Sequence, residues 1–494
     1  VVAAVNGLFL GIDIGTASSK GVLVDAAGRI RARASRPHET ASPHPGWFEH
    51  DAETVWWQDF RALTTELLAE AAEPVGAVGV SGIGPTLLPA RADGTPLRPA
   101  ILYGVDTRAT AEIAELTEEL GAEDILRRAG TPLSSQAVGP KFRWLARHEP
   151  EVYERTELFL MCSSFVVHRL TGEYVLDHHS ASQCDPMYDL TARDWSAEWA
   201  PLVAPGITLP RLAWPTEVVG TVTAEAARET GLPQGIPVTA GTVDAWSEAT
   251  SVGVREPGDT MVMYGTTMFL VDVLTDPLPH KGLWTTCGAF PDTYTLAAGM
   301  ATSGSITDWL RQLSGRDYTE LAELAGQAPA GSAGLLLLPY FAGERTPIFD
   351  PDARGVLAGL TLGHGIGELY RAALEGIAYG VRHNLETMQA AGGETNRLVA
   401  VGGGTTGGLW TQIVSDVLGA EQSVPQETIG ACFGNAMLAA LATGAEAQGW
   451  NPVVRTVRPD PARHEEYQDF YLRYRELYPA TADIAHFLAE RQRD

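Results

Sequence analysis

Apolar runs that stop at a glycine recur along this chain, beginning with its first elements. Leu8-Phe9-Leu10-Gly11-Ile12 leads into Asp13 and then Ile14-Gly15-Thr16, and a second run, Gly21-Val22-Leu23-Val24, follows at once. Two short apolar runs around a small-residue turn predict a β-hairpin over residues 8–25. A third strand over 29–35, after the turn Asp25-Ala26-Ala27-Gly28, makes the opening a meander. Residues 52–70 have the spacing of an amphipathic helix, whose Trp56 and Trp57 read as packing. A buried strand follows over 77–86 and carries Ser81-Gly82-Ile83-Gly84-Pro85, a Gly-rich end of the kind that meets ligands. Runs at 87–90 and 100–103 bracket an Asp93-Gly94 turn, and helical spacing returns over 107–128 and 141–149. An apolar segment over 158–170 breaks at Thr171-Gly172-Glu173, and 177–215 is irregular, anchored by Trp195, Trp199 and Trp214.

The second half of the chain repeats the opening. Thr260-Met261-Val262-Met263-Tyr264 meets Gly265-Thr266-Thr267 and turns into Met268-Phe269-Leu270-Val271, with Thr266 standing 250 positions after Thr16. A repeat at half the chain length predicts two domains of related plan facing one another. The run Leu335-Leu336-Leu337-Leu338 enters a charged loop, and Leu398-Val399-Ala400-Val401 ends in Gly402-Gly403-Gly404. Helices are expected over 368–392, 409–418, 434–443 and 465–492.

The chemistry lies where these strands end. A single acid in an apolar strand needs a reason to be buried, and Asp13 precedes a turn in which Gly15 offers unusual backbone freedom. Thr16, Ser18 and Ser19 add hydroxyls beside exposed N–H groups, a nest for phosphate oxygens. An ordinary hairpin with a polar turn fits the local pattern as well. A strand rather than a helix follows, so neither the P-loop nor the dinucleotide fingerprint applies. The strand Val238-Thr239-Ala240 leads through Gly241 to a second isolated carboxylate, Asp244. It reads either as the cap of the following helix or as a general base at a cleft. Asp106 and Arg108 can cap the helix that follows them, and the triple glycine at Gly403 and Gly404 lets a flat ring or a ribose approach the backbone.

With 494 residues the chain exceeds one ordinary core, and about two to four domains are expected, two of them large. The net charge of −26 disfavours nucleic acid and anionic membranes as partners, so any bound phosphate must be met locally. Cys162, Cys184, Cys287 and Cys432 are dispersed, without a zinc or disulfide pattern. The start at Val1 to Val5 lacks a signal-peptide pattern, and no apolar stretch reaches a membrane span of about 18 residues. A soluble, cytoplasmic protein is expected.

The order of hairpin, Asp244, second Gly-Thr turn and triple glycine resembles the FGGY carbohydrate kinases of the actin-like ATPase superfamily over nearly the whole chain. The most specific piece is Gly355-Val356-Leu357-Ala358-Gly359-Leu360 with Glu368-Leu369-Tyr370-Arg371-Ala372-Ala373-Leu374-Glu375, which fits the family's second signature. Lys141-Phe142-Arg143-Trp144-Leu145 resembles the first, although Gln136 and Val138 depart from it. Gly343-Glu344-Arg345-Thr346-Pro347 and Leu97-Arg98-Pro99-Ala100 are most similar to xylulokinases. Where those carry a Gln-Met-His-Gly sugar turn, this chain has Ser81-Gly82-Ile83-Gly84.

The resemblance implies an α/β fold of two actin-like (ribonuclease H-like) domains, each a mixed five-stranded sheet flanked by helices, with a cleft between them. The expected division is 1–253, 254–445 and a helical segment over 446–494 that packs back on the body. It implies transfer of the ATP γ-phosphoryl to a hydroxyl of a small sugar, a ketopentose such as D-xylulose first, or else ribulose or a glycerol-like polyol. Asp244 matches the family base and also touches the sugar, and Asp13 holds Mg2+. Gly15, Thr16, Ser18, Gly265 and Thr266 cradle phosphates, and Gly403 and Gly404 line the adenosine pocket. Gly82, Ile83 and Asp106 contact the sugar, and a homodimer is expected. A nucleotide-binding assembly protein on the same core, or a silent sugar sensor, are the competing readings.

Overall fold

The computed structural model describes residues 7–492, so the uncharged start at Val1 to Val5 lies outside the described residues. In the first half β1 (Leu8–Ile14), β2 (Ser18–Val24) and β3 (Ile30–Pro37) form the expected antiparallel meander. β4 (Val75–Gly82) runs parallel to β1, and β5 (Val218–Thr221), β6 (Pro237–Thr239) and β7 (Thr242–Val243) complete the sheet. Its order is β5-β6-β4-β1-β2-β3, with β7 also pairing on β4. Helices α1 (Gln58–Glu70) and α2 (Cys162–Thr171) pack on this sheet, and α3 (Asp244–Ser251) follows β7.

The second half answers strand for strand. β8 (Asp259–Tyr264) and β9 (Met268–Leu274) are the second hairpin, followed by β10 (Trp284–Cys287) and β11 (Tyr294–Met300). After α4 (Gly304–Ser314) and the long α5 (Ile366–Ala390) come β12 (Arg397–Val401), α6 (Leu409–Leu418) and β13 (Gln422–Pro425). Then α7 (Ala431–Ala442), β14 (Val453–Val457) and α8 (Pro461–Arg491) end the described chain. The order is β10-β11-β9-β8-β12-β13-β14. Across six strands of each sheet the pairing runs antiparallel, antiparallel, parallel, parallel, antiparallel. The mixed sheets flanked by helices are as expected, but each has seven strands rather than five, because short outer strands extend both.

Two elements tie the halves together. Helix α7 lies between the last two strands of the second sheet in sequence yet packs on β1, β4 and α3 of the first half. The approach is backbone to backbone. A Cβ at Gly11 would stand 1.9 Å from the Cys432 carbonyl, and one at Gly434 1.8 Å from the Ser247 carbonyl, so neither position has room for a side chain. Helix α8 docks through Tyr467, whose hydroxyl donates to Glu375 at 2.8 Å, beside the buried Arg371–Glu375 pair at 2.7 Å. Removing one member of such a pair strands a charge in the core and costs about 3–5 kcal/mol. The stretch expected as a helical segment includes a strand, β14, as well as the helix α8.

Candidate active site

The parallel strands β1 and β4 end side by side, which sets Asp13 against Ser81. Ser81 Oγ donates to Asp13 Oδ1 at 2.7 Å and accepts from Asn435 Nδ2 at 2.7 Å. Asn435 also donates to the Ile12 carbonyl at 2.8 Å and accepts from Ser247 Oγ at 2.6 Å. One buried amide on α7 thus holds β1, β4 and α3 in a fixed relation, and through Ser81 it orients the carboxylate. Sequence reading missed Asn435, because its partners lie hundreds of residues away.

Among the described residues, both Gly-Thr turns leave backbone donors without acceptors. Gly15 N–H donates to the Ser18 carbonyl at 3.1 Å, and Gly265 N–H to the Thr267 carbonyl at 3.2 Å. The expectation that Gly15 uses a conformation closed to other residues fails, since its φ is not positive. What requires glycine is proximity: a Cβ there would stand 2.9 Å from the Ser18 carbonyl. The turn carbonyls are already taken. His38 and Thr40 donate to those of Gly15 and Thr16, and the backbone at the start of α4 donates to those of Gly265 and Thr266. Among the described residues nothing accepts from the N–H groups of Thr16, Ala17, Thr266 or Thr267. Turns with bound carbonyls and free N–H groups suit anions.

Asp244 is the first residue of α3, and its carboxylate accepts from the adjacent Ala245 N–H at 2.7 Å. A capping side chain takes the N–H two or three residues on. The cap reading is therefore not what the structure has. Glu248 lies one turn further along the same helix, four positions after Asp244 and so on the same face. Burial, then the Asp13 charge, pushes the Asp244 carboxyl up to about 8, and the same causes push Glu248 up to about 7. Asp13 is also raised by burial, against the Ser81 hydrogen bond and the charge of Lys20. Lys20 faces Asp13 directly across the hairpin and is a second residue missed, although register alone pairs it with Asp13.

This donor set suits a hard dication held loosely. Among the described residues no three of His, Cys, Asp or Glu converge to cage a metal. Magnesium retains several waters and binds through one or two carboxylates and substrate phosphates, so a single oriented carboxylate such as Asp13 fits it.

Beside Asp244 a cavity of about 200 Å³ opens between the halves. The first half contributes Ile83, Gly84, Tyr103, Gln136, His179, Gln183, Asp185 and Trp246, and the second Met263, Thr267, Phe269, Trp284 and Arg345. Tyr103 also connects it to the phosphate turn, its hydroxyl lying 3.3 Å from Thr16 Oγ1. Lys141 is buried and donates to the carbonyls of Ser135 and Ala137, at 2.7 and 3.1 Å, fixing the loop that presents Gln136.

Two expected sugar contacts are not in the cavity wall. Gly82 sits against Cys162, where a Cβ would lie 2.5 Å from the sulfur, so its role is packing. Asp106 is turned inward, with a fully buried side chain that accepts from Phe48 N–H at 2.7 Å and pairs with Arg108 at 2.7 Å. Nor does it cap the next helix, which has no side-chain cap bond. Its oxygens are satisfied by the protein. Ile83 does line the cavity, as expected. Ser18 opens β2 and closes the turn through its carbonyl. Gly403 follows β12, and a Cβ added there would meet nothing within 4 Å, whereas one at Gly404 would lie 2.7 Å from the Trp410 ring.

The family models of the FGGY family of carbohydrate kinases match the chain twice, the N-terminal domain over residues 8–251 and the C-terminal domain over 260–443. The chain is 30% identical over 487 residues to a xylulose kinase of Escherichia coli, covering 95% of this chain and 98% of that one. It is 33% identical over 455 residues to a glycerol kinase of Nocardia farcinica, covering 88% and 89%. Among solved structures, a xylulose kinase from Rhodospirillum rubrum superposes with a TM-score of 0.89 at 33% identity, over 97% of this chain and all of the other.

Proposed function

We infer the reaction from one premise: the chain belongs to the FGGY family of carbohydrate kinases, and it is an ATP-dependent sugar kinase. The acceptor we assign is a small ketose, D-xylulose first. The observation that carries this reading is Asp244, a half-buried carboxylate at the wall of a sugar-sized cavity and next to the turn that ends β1.

A sugar hydroxyl is a weak nucleophile at neutral pH, and its proton must leave as the new P–O bond forms. Asp244 accepts that proton. A base with a pKa near the working pH combines availability with driving force, and burial brings Asp244 into that range. The remaining barrier is lowered by placement and charge neutralisation. The N–H groups of the Gly15-Thr16 and Gly265-Thr266 turns hold phosphate oxygens from opposite halves, and Gly403 leaves space for the nucleoside. Asp13 and Lys20 hold the charged end, and Mg2+ bound there would neutralise phosphate charge. Closure of the halves over the cavity would exclude water, the competing acceptor.

The cytoplasm and a homodimer belong to the same reading. Support comes from four free buried cysteines and from large apolar side chains left exposed on α4 and α8, Trp309, Leu313, Ile484 and Phe487. No helix among the described residues is long and apolar enough to cross a membrane.

The test is ADP release against a panel of ketopentoses, polyols and aldoses. Acceptor-stimulated ADP with D-xylulose as the best substrate is expected. A preference for glycerol-like polyols would move the assignment within the family. Sugar binding without any stimulated ADP would make the protein a sensor.

A further inference from the structure

The cavity wall holds two buried polar groups that the phosphoryl-transfer reading does not use. Asp185 is 5% exposed and Trp246 is 1% exposed. Asp185 Oδ1 and Trp246 Nε1 are both sealed from water, and among the described residues neither finds a hydrogen-bond partner. One is an acceptor and the other a donor. An unpaired buried polar atom is costly, so a protein that keeps one of each sign in the wall of one cavity has a reason outside its own fold.

We propose that Asp185 and Trp246 read hydroxyl groups of the acceptor and determine which neutral polyhydroxyl compound this kinase takes. The inference rests on the sugar-kinase reading above. Asp185 is placed with some rigidity: its carbonyl accepts from Gly139 N–H at 3.0 Å, and a Cβ on Gly139 would come within 2.4 Å of that oxygen. The side chain keeps only its broad terminal torsion, enough to turn a carboxylate oxygen toward a ligand. Trp246 is fixed by its ring stacked on His179, 5.6 Å between centroids. Nearby in the wall, Gln183 and His179 satisfy one another at 3.2 Å, and Gln136 accepts from Gly104 N–H. Each of those amides has one atom engaged, whereas Asp185 Oδ1 and Trp246 Nε1 are the atoms of this wall that are sealed and without any partner among the described residues. Burial alone holds the Asp185 carboxyl well above its usual range, with no cation or donor opposing it. A carboxyl kept neutral can both give and take a hydrogen bond with a hydroxyl. Arg345 is the cation of the same wall, and no hydrogen bond or ion pair of its guanidinium reaches Asp185.

The experiment compares wild type with Asp185→Asn, Asp185→Leu and Trp246→Phe, using the best neutral acceptor of the panel and its single-deoxy analogues. Asp185→Asn should raise the acceptor KM at least tenfold while the ATP KM stays within twofold. Its melting temperature should be no lower than wild type, because an unpaired acid has been removed. The deoxy analogue that lacks the hydroxyl read by Asp185 should be a poor substrate for wild type and lose nothing further in Asp185→Leu. Trp246→Phe should flatten discrimination at a different hydroxyl. Should Asp185→Leu fail to fold, the isosteric Asp185→Asn carries the comparison. An unchanged acceptor KM and an intact deoxy pattern in Asp185→Asn would overturn the proposal while leaving the kinase reading standing. Wild type that turns over no neutral acceptor would overturn both.

Discussion

The two hairpins have the same turn and opposite electrical character. Both close through a glycine N–H, both have their turn carbonyls bound by neighbouring groups, and both leave N–H groups free. Yet the register pair one step in from the turn is Asp13 with Lys20 in the first and Met263 with Phe269 in the second. The charged pair stands among Asp244, Glu248 and Ser81, while the apolar pair lines the sugar cavity. A repeated backbone has thus been given two tasks. On the proposed reading, one copy grips phosphate with a carboxylate beside it, and the other grips phosphate while its strand faces form an apolar wall for the sugar. Duplication supplies the shape, and two side-chain positions divide the work.

The largest expected effect is on the charged side. Asp244→Asn should slow phosphoryl transfer about 10²–10⁴-fold, the usual contribution of a positioned acid or base, with the ATP dissociation constant unchanged. Turnover within a few-fold of wild type would remove Asp244 from the base role. The same variant has a pH signature. An aspartate that titrates near 8 when folded, against 3.8 free, binds a proton more tightly in the folded state, so folding stability falls as pH rises between those values. Asparagine does not titrate. The melting temperature of Asp244→Asn should therefore gain on wild type between pH 5 and pH 8.5, and a constant difference across that range would contradict the raised pKa.

Next in size is the pair that distinguishes the hairpins. Asp13→Ala should lower the rate and shift the Mg2+ titration together, whereas Met263→Ala should raise the acceptor KM and leave the Mg2+ titration where it was. Equivalent metal dependence in the two variants would erase the division of labour.

How far this was legible in the sequence follows from what local patterns encode. Strand, turn and strand at residues 8–25 and again at 260–273 were readable because each apolar run is short and bounded by glycine. The run at 158–170 was not resolved, since a continuous apolar stretch has no period; it is Leu158–Leu160 as strand and then α2. The helix expected over 107–128 is cut at Gly121, whose φ of 82° ends Thr110–Leu120 before Ala122–Ala129 begins. Asp106 looked like a ligand because nothing local reveals that Arg108 and the Phe48 N–H already satisfy it. Asn435 bonds Ile12 across 423 positions and was read only as part of a closing helix. Even the most specific family signature concerns packing: Arg371 and Glu375 hold Ser332 and Tyr467 in the core and lie outside the lining of the sugar cavity.

The smallest effect should come from the feature the hairpins share. If phosphate is held by backbone N–H groups, the threonine hydroxyls contribute little beyond shaping the turn. Thr16→Val and Thr266→Val should each raise the ATP KM by less than about tenfold, the range of one neutral hydrogen bond. Thr16 has the larger claim, because its hydroxyl lies 3.3 Å from that of Tyr103 in the cavity wall, so its loss should also touch the acceptor KM. Thr266 has no such link, and its effect should be confined to the nucleotide. Equal effects of both variants on nucleotide and acceptor would mean that the hydroxyls bind the phosphates directly and that the two turns are used identically; an acceptor effect from Thr16→Val alone would extend the asymmetry of the hairpins down to the turn itself.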